Sequence, residues 1–302
     1  IDTIMITGDY KETAFAIAKD LGMAEDESQA MMGAELDKLS DEELQEIVKN
    51  TKVFARVSPD HKVRIVSALK ANGEIVAMTG DGVNDALALK KADIGVSMGI
   101  TGTDVAKNTA ELILTDDNFA SIVAAVEEGR IIYDNIKKFV FFLLSCNIGE
   151  ILIVFISILM NLPVPFLAIQ LLWLNLVTDS FPALALGMEA GDPDVMERKP
   201  RDAKASILDK QLLISISVQS IAIAVSSLLA YTTALKLYPD NLTLSRTITF
   251  TTLITAELLR AYSSRSQRYS LFKIGFFSNI TMVLGTSFSF LLMLLVLYIP
   301  FM

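Results

Sequence analysis

Long apolar runs in the C-terminal half constrain this chain more than any other feature. Leu212–Leu235 contains 24 residues and Ile274–Pro300 contains 27, and neither run contains Asp, Glu, Lys or Arg. A helix of about 20 apolar residues crosses the roughly 30 Å hydrocarbon core of a bilayer. A soluble protein rarely buries several runs of this length, so we predict that these segments are membrane helices.

Two further runs, 139–160 and 164–187, carry one charged residue each, and a third run, 247–264, is shorter. Together the runs predict an all-α transmembrane bundle of five helices in residues 139–302, at 139–160, 164–187, 212–235, 247–264 and 274–300.

The charge balance separates this bundle from the preceding residues 1–138. That first part contains 15 Lys and Arg against 25 Asp and Glu, whereas residues 139–302 contain 11 against 10. Such an acidic part is not expected to bind nucleic acid, so no nucleic-acid partner is predicted.

The distribution of basic residues predicts the orientation of the bundle. Segments 190–210 and 260–273 hold five and four Lys or Arg residues, whereas 161–163 holds none and 236–246 holds two. Because cytoplasmic loops are enriched in Lys and Arg, we expect the two basic segments and residues 1–138 to be cytoplasmic.

Polar side chains interrupt three of the predicted membrane helices. Each charge at the bilayer centre costs about 2.5–3.5 kcal/mol on insertion scales, so such residues are usually functional and face other helices. Carboxylate, amide and hydroxyl oxygens are typical ligands of hard cations such as calcium. We expect no thiolate among the ligands, and Cys146 is expected to pack between helices. The candidate cation ligands are Asn147, Glu150, Asn175, Thr178, Asp179 and Glu257.

Residues 1–138 show short apolar strands alternating with amphipathic helices. This alternation predicts an α/β domain with a Rossmann-type parallel sheet, in which ligands bind at the carboxyl ends of the strands. Strands are expected at 3–6, 53–55, 75–78, 94–96 and 112–114, and helices at 12–21, 44–48 and 61–71.

Residues that can bind a phosphate group follow two of these strands. Thr7, Gly8 and Asp9 follow the first strand, and a Thr-Gly-Asp-Gly-Val-Asn-Asp segment, residues 79–85, follows the central one. Glycines allow close backbone approach to an oxyanion, and aspartates can hold a magnesium ion that neutralises a phosphoryl group. Lys62 can add positive charge to the same site. His61 beside it is expected to be solvated.

These segments together resemble one family, the P-type ATPases, and specifically the type II calcium pumps of the sarcoplasmic-reticulum kind. The resemblance rests on MITGDYKETAFAIAKDLG, FARVSPDHKVRIV, MTGDGVNDALALKKADIGVSMGITGTDVAK, SCNIGE and LLWLNLVTDSFPALALG. It implies a partial haloacid-dehalogenase-like phosphorylation domain, residues 1–138, followed by the fifth to ninth transport helices.

The resemblance also implies roles for individual residues. Thr7, Gly8 and Asp9 match the phosphate-contacting turn, and Lys62 matches the lysine that stabilises the aspartyl phosphate. Asp81 matches the Mg²⁺ ligand, and Asn84 and Asp85 complete that motif, Asp85 being a second cofactor-binding candidate. The six oxygen-bearing residues of the membrane helices match calcium-site side chains.

The implied function is ATP-driven calcium export or sequestration, with Mg²⁺ and ATP required and Ca²⁺ transported. The phosphorylated aspartate, the nucleotide-binding and actuator domains and the first four helices have no counterpart here. We therefore expect a missing N-terminal part of the same polypeptide as partner, and no ATPase activity from the 302 residues alone.

Two alternatives to a calcium pump stay open at this point. One is a P-type pump for Mn²⁺ or for Na⁺ and K⁺, which would use a similar carboxylate-rich site. The other is a membrane-tethered phosphatase of the haloacid-dehalogenase type, which would not need carboxylates in its anchor. The expected location is the lipid bilayer of a bacterial plasma membrane.

Overall fold

The chain consists of two compact units, Ile1–Ala124 and Ala125–Met302. The computed structural model describes residues 1–202 and 205–299. Pro300, the last residue of the predicted fifth membrane helix, lies outside the described residues.

The first unit contains two parallel sheets of three strands each. The first sheet has the order β1-β3-β2 and the second β4-β5-β6. Every neighbouring pair is parallel, with Met5 aligned to Val53 in the first sheet and Ala77 to Ile94 in the second. The strands are β1 Met5–Ile6, β2 Ala30–Met32, β3 Val53–Ala55, β4 Ala77–Gly80, β5 Ile94–Met98 and β6 Leu112–Leu114.

This arrangement confirms the predicted α/β class and refines it in one respect. The parallel strands form two small sheets, and strand β2 was not predicted. Its sequence, Ala-Met-Met, has no β-branched or aromatic residue to indicate a strand. The pairing with Val53, Phe54 and Ala55 of β3 determines its conformation.

Helices connect and cover the strands of the first unit. They are α1 Lys11–Asp20, α2 Gly33–Leu36, α3 Asp41–Ile47, α4 Pro59–Ala71, α5 Ala86–Lys91 and α6 Asp104–Thr109, with 3-10 turns at Glu27–Gln29 and Val83–Asp85. Ser40 and Ser58 cap α3 and α4, because their hydroxyls accept hydrogen bonds from the N–H groups of Glu43 and His61.

Helix α4 contributes to the cores beside both sheets. Ile65 packs in a cluster with Phe54 of β3, and Val66 packs in a second cluster with Met78 of β4. Ile6, the last residue of β1, contacts both clusters. Burial of these side chains fixes the start of α4, and with it Lys62, beside the strand ends.

His61 is not the solvated residue that its sequence context predicted. It is 8% exposed, and its Nε2 lies 2.7 Å from Asp37 Oδ1. Its Nδ1 accepts a hydrogen bond from the Ser58 N–H at 3.1 Å. The ring therefore completes the cap of α4, and no functional role is needed to explain it.

Asp117 organises the loop that follows β5. One carboxylate oxygen accepts hydrogen bonds from the N–H groups of Gly99 and Ile100 at 2.7 and 2.9 Å. The other accepts from the N–H and the hydroxyl of Thr101 at 2.8 and 2.7 Å. The Ile100 N–H above all, with the other donors of this loop, holds the pKa of Asp117 at about 2, below the ordinary value of 3.8.

This pKa shift predicts a pH-dependent effect of Asp117→Asn. A depressed carboxylate pKa stabilises the fold above the unfolded value, and the contribution disappears as the pH falls towards the folded value. We expect the variant to melt below the native chain near pH 7, and the difference to shrink between about pH 4 and pH 2. Thermal melting across this range is the measurement. Asp20→Asn, at the exposed end of α1, is the matched control; a difference independent of pH would contradict the assignment.

The second unit is helical. Helix α7 extends as one 40-residue helix over Ala120–Leu159, and it therefore runs without interruption through the first predicted span. The other helices are α8 Ala168–Trp173, a π-helical turn Leu174–Thr178, α9 Ser180–Gly187, α10 Lys210–Leu237, α11 Leu242–Ser263, α12 Leu271–Ile274 and α13 Ile280–Tyr298.

Four helical segments of the described residues are long and apolar enough to cross a membrane. They are Ala120–Leu159, Ala168–Gly187, Lys210–Leu237 and Ile280–Tyr298. Helix α11 has the length but is more polar, with six threonines and three charged residues among its 22 residues. Its assignment as a membrane span, the fourth of the five predicted ones at 247–264, stays a prediction.

Arg265 and Glu189 form a buried ion pair between the segment that follows α11 and the segment that follows α9. Arg265 Nε and Nη2 donate to the two carboxylate oxygens of Glu189, each at 2.8 Å. Arg265 is 1% exposed and Glu189 7%. Asn279, which caps α13, donates to the same carboxylate at 2.7 Å. Arg265 was predicted to be a loop charge that sets orientation, but its guanidinium is part of the protein interior.

Candidate functional site

The turn after β1 is closed by its own side chains. The Thr7 hydroxyl donates to Asp9 Oδ2 at 3.1 Å, and the Asp9 N–H donates to Thr7 Oγ1 at 3.2 Å. Thr7 also exchanges backbone hydrogen bonds with β3 and the residues after it, from Thr7 N–H to Phe54 and from Val57 N–H to Thr7. Gly8 between them is exposed. The turn therefore presents a hydroxyl, a glycine and a carboxylate at a strand end.

Lys62 and Asp85 form the second part of the candidate site. Lys62, in the first turn of α4, lies with its Nζ 2.5 Å from Asp85 Oδ1. The other oxygen of Asp85 accepts from the N–H groups of Asp81 and Gly82 at 3.3 and 3.1 Å. Asp85 thereby fixes both the lysine and the loop after β4.

Asp81 and Asn84 remain exposed at this loop. The carboxylate oxygens of Asp81 have no hydrogen-bond or ion-pair partner among residues 1–202 and 205–299. Within these same ranges, no hydrogen bond or ion pair joins Thr7 or Asp9 to Lys62 or Asp81. The two parts share a core through Ile6 and Met78.

The polar residues of the second unit are centred on a π-helical turn, Leu174–Thr178. The Asp179 N–H donates to the Leu174 carbonyl at 3.0 Å, a five-residue spacing. Pro182 has no N–H with which to bond the Thr178 carbonyl, and the Ser289 hydroxyl donates to that carbonyl at 3.3 Å instead. Such π-turns occur frequently at functional sites.

Two groups of candidate ligands form around this turn. Asn175 Nδ2 donates to Glu150 Oε2 at 2.9 Å, which links the turn to α7. Ligand atoms of Asp179, Glu257 and Cys146 lie within 4.8 Å of one another, from the turn, α11 and α7. The structure therefore brings three helices together through residues that are far apart in sequence.

Six buried oxygens in these groups lack a hydrogen-bond partner within the described part of the chain. Buried polar atoms are normally paired, so each such atom requires an explanation. Asp179 and Glu257 are both 0% exposed, and Glu150 is 6% exposed. The atoms are Glu150 Oε1, Thr178 Oγ1, Asp179 Oδ1 and Oδ2, and Glu257 Oε1 and Oε2.

Asn147 is not seen to take part in these contacts. Its Nδ2 donates to the Leu143 carbonyl of its own helix at 2.8 Å. For the residues that the structure describes, no hydrogen bond joins Asn147 to Glu150, Asn175 or Asp179.

Two residues at this site were not recognised as such from the sequence. Cys146 was expected only to pack, because a single cysteine in an apolar run gives no signal of its own. Arg260 was expected to be a loop charge, yet it lies within α11 and is 4% exposed. Its guanidinium lies 4.1 Å from the Phe141 ring centre and donates to the hydroxyls of Ser263 and Ser264. The three-residue spacing from Glu257 on a helix is the signal that could have identified Arg260.

Both halves of the chain match known protein families. The family described as haloacid dehalogenase-like hydrolase matches residues 1–93. The family described as cation transporting ATPase, C-terminus, matches residues 163–302.

Related proteins match nearly the whole chain. The calcium-transporting ATPase of Bacillus subtilis is 50% identical over 300 residues, which cover 99% of this chain and 34% of the relative. Calcium-transporting ATPase 1 of Bacillus cereus is 49% identical over 315 residues, which cover 99% of this chain and 35% of the relative. Human calcium-transporting ATPase type 2C member 1 is 47% identical over 298 residues, which cover 98% of this chain and 32% of the relative.

The chain thus spans about a third of the length of the curated relatives it matches. The order of the two family matches, the strand-end residues of the first unit and the carboxylate-bearing helices of the second agree with that relationship. This chain belongs to the P-type cation-transporting ATPases, and it matches the C-terminal part of relatives that are named as calcium-transporting ATPases.

Proposed function

We propose that this chain supplies the cation site and part of the phosphorylation site of an ATP-driven calcium pump that works through an aspartyl phosphate. The observation that carries the proposal is a set of six buried oxygens from Glu150, Thr178, Asp179 and Glu257 that have no hydrogen-bond partner among residues 1–202 and 205–299. Calcium takes six to eight oxygen ligands, and bound calcium would satisfy these oxygens.

The transported ion would be held mainly by carboxylates. Glu150, Asp179 and Glu257 contribute three negative charges from three helices, which favours a divalent over a monovalent cation. Asn175 orients Glu150 through its amide hydrogen bond. Thr178 and Asn147 complete the proposed ligand set, Asn147 after a change of its side-chain rotamer.

In the first unit, the residues present fit a magnesium ion and a phosphoryl group. Asp81 offers an exposed carboxylate with free oxygens, which is the ligand type that Mg²⁺ prefers. Bound Mg²⁺ would neutralise charge on the phosphoryl oxygens. Thr7 and Gly8 would contact those oxygens, and Lys62, positioned by Asp85, would supply positive charge. Asp9 orients the Thr7 hydroxyl, and Asn84 would border the same loop.

We further propose that the protein is embedded in a bacterial plasma membrane with residues 1–138 in the cytoplasm. The four long apolar helices and the membrane ATPase relatives support an integral membrane protein. The excess of Lys and Arg in segments 190–210 and 260–273 supports the orientation.

The test is a chimera in which this chain replaces the matching third of the Bacillus subtilis relative. We expect ATP-dependent calcium uptake into inverted vesicles, and a loss of at least about 90% of that uptake with Glu150→Gln, because a ligand charge is lost without a change of shape. The measurement is vesicle uptake together with calcium-dependent phosphorylation.

Asp240→Asn, which removes an exposed charge from the loop between α10 and α11, is the matched control. Unchanged uptake and phosphorylation in Glu150→Gln would refute the cation-site assignment. Uptake of Mn²⁺, Na⁺ or K⁺ in place of calcium by the unmodified chimera would refute the ion identity.

A further inference from the structure

The single cysteine of the chain lies at the cation site. Cys146 is 0% exposed in α7, and its Sγ is within 4.8 Å of a carboxylate oxygen of Asp179 and of one of Glu257. Those two oxygens also lie within 4.8 Å of each other. The three residues come from α7, from the residue after the π-turn and from α11.

The spacing of these atoms fits a shared metal ion. Bonds from oxygen or sulfur to divalent metals are about 2.0–2.6 Å long, so ligands of one ion lie no more than about 5 Å apart. All three distances meet that limit. The carboxylate oxygens of Asp179 and Glu257 are buried and unpaired within the described residues, which independently indicates a ligand at this position.

The chemistry of the donor set differs from that of an all-oxygen calcium site. Calcium takes oxygen ligands, whereas a thiolate favours borderline or soft cations such as zinc. A site with one sulfur and two carboxylates therefore suits a cation that accepts both donor types.

We propose that Cys146, Asp179 and Glu257 form a mixed sulfur–oxygen site for divalent cations of the zinc and cadmium class. The proposal rests on the proposed function, because it places this site within the calcium cavity. On binding, a metal–sulfur bond forms, the S–H bond breaks and the proton leaves to solvent, with no change in oxidation state. Cations of this class would compete with calcium for the two carboxylates.

The experiment titrates Cd²⁺ into the purified chain in lipid nanodiscs and records ultraviolet absorption. A cadmium–thiolate bond gives a charge-transfer band, and since the sequence contains one cysteine, such a band reports Cys146 alone. We expect a band that saturates at one Cd²⁺ per chain and that added calcium reverses.

Two variants separate the donors. Cys146→Ser is expected to lack the band and to lower the ratio of cadmium to calcium affinity by about 100-fold, because the sulfur donor is lost. Asp179→Asn is expected to retain the thiol but to weaken cadmium binding by at least about tenfold. Radioactive calcium binding is measured in parallel.

The outcomes distinguish this proposal from the proposed function. No band in the native chain, with calcium binding intact, would overturn the sulfur site and leave the calcium site standing. A band that neither calcium nor Asp179→Asn weakens would show thiol binding away from the carboxylates, which also overturns the proposal. If the native chain bound neither calcium nor cadmium, both this proposal and the proposed calcium site would be overturned.

Discussion

Replacing Asp179 by Asn is expected to lower the calcium affinity of the protein by at least about 100-fold. Changing a residue that only hydrogen-bonds to a metal ligand already costs about 10–100-fold in metal affinity. Asp179 is fully buried, and both of its oxygens are unpaired within the described part of the chain. Equilibrium binding of radioactive calcium to the purified chain is the measurement, and the chimera's uptake provides a second readout.

The same substitution is expected to stabilise the protein when calcium is absent. Asp179 and Glu257 are buried with carboxylate oxygens less than 5 Å apart, and neither has a basic partner among the described ion pairs. Removing one buried charge lowers the desolvation cost of folding. Each kcal/mol of added stability raises the melting temperature of a domain of this size by about 2–4 °C, so we expect a rise of a few degrees without calcium.

The two effects of Asp179→Asn together separate a ligand from a structural residue. A structural residue would lose stability and binding together, whereas a ligand loses binding and gains stability without the ion. Asp240→Asn in an exposed loop is the matched control and should change neither quantity. Calcium affinity within about threefold of the native value would contradict the role of Asp179.

The largest effect on stability is expected from Glu189→Ala. Arg265 would keep its buried position without the carboxylate that accepts two of its hydrogen bonds. Removing one partner of a buried ion pair typically costs about 3–5 kcal/mol. For a helical unit of this size we expect the melting temperature to fall by roughly 10 °C.

A double variant identifies the cause of that loss. Glu189→Ala combined with Arg265→Met should melt above Glu189→Ala alone, because no uncompensated charge then remains in the interior. Glu197→Ala, at an exposed position nearby in sequence, is the matched control. A double variant whose destabilisation equals the sum of the two single effects would show that Arg265 and Glu189 do not depend on each other.

Much of the fold could be predicted from local sequence patterns. Apolar runs longer than 20 residues predict membrane helices because the bilayer sets their length. The helices predicted at 44–48 and 61–71 correspond to α3 and α4 of the structure, which begin after the capping residues Ser40 and Ser58. Strand β2 could not be predicted, because its three residues have no intrinsic strand preference and acquire the conformation by pairing with β3.

The candidate cation site was partly accessible to the same reasoning. Glu150, Asp179 and Glu257 stand out because charge inside an apolar run is costly. The prediction that Arg260 and Arg265 are loop charges was wrong, because a charge close to the end of an apolar run resembles a loop residue. Each is held inside by contacts from other segments, with the Phe141 ring in the first case and Glu189 in the second.

Composition and periodicity act locally, so the amino-acid sequence alone was enough to predict an acidic α/β part and a helical membrane part. The sequence also identified the side chains that are too polar for a membrane helix. Which of these side chains contact one another depends on the tertiary structure. Cys146 and Asp179 are distant in sequence from Glu257, and the three residues come together where α7 and α11 pack beside the π-turn that precedes Asp179. Such convergence depends on the packing of three helices at once, which no single segment encodes.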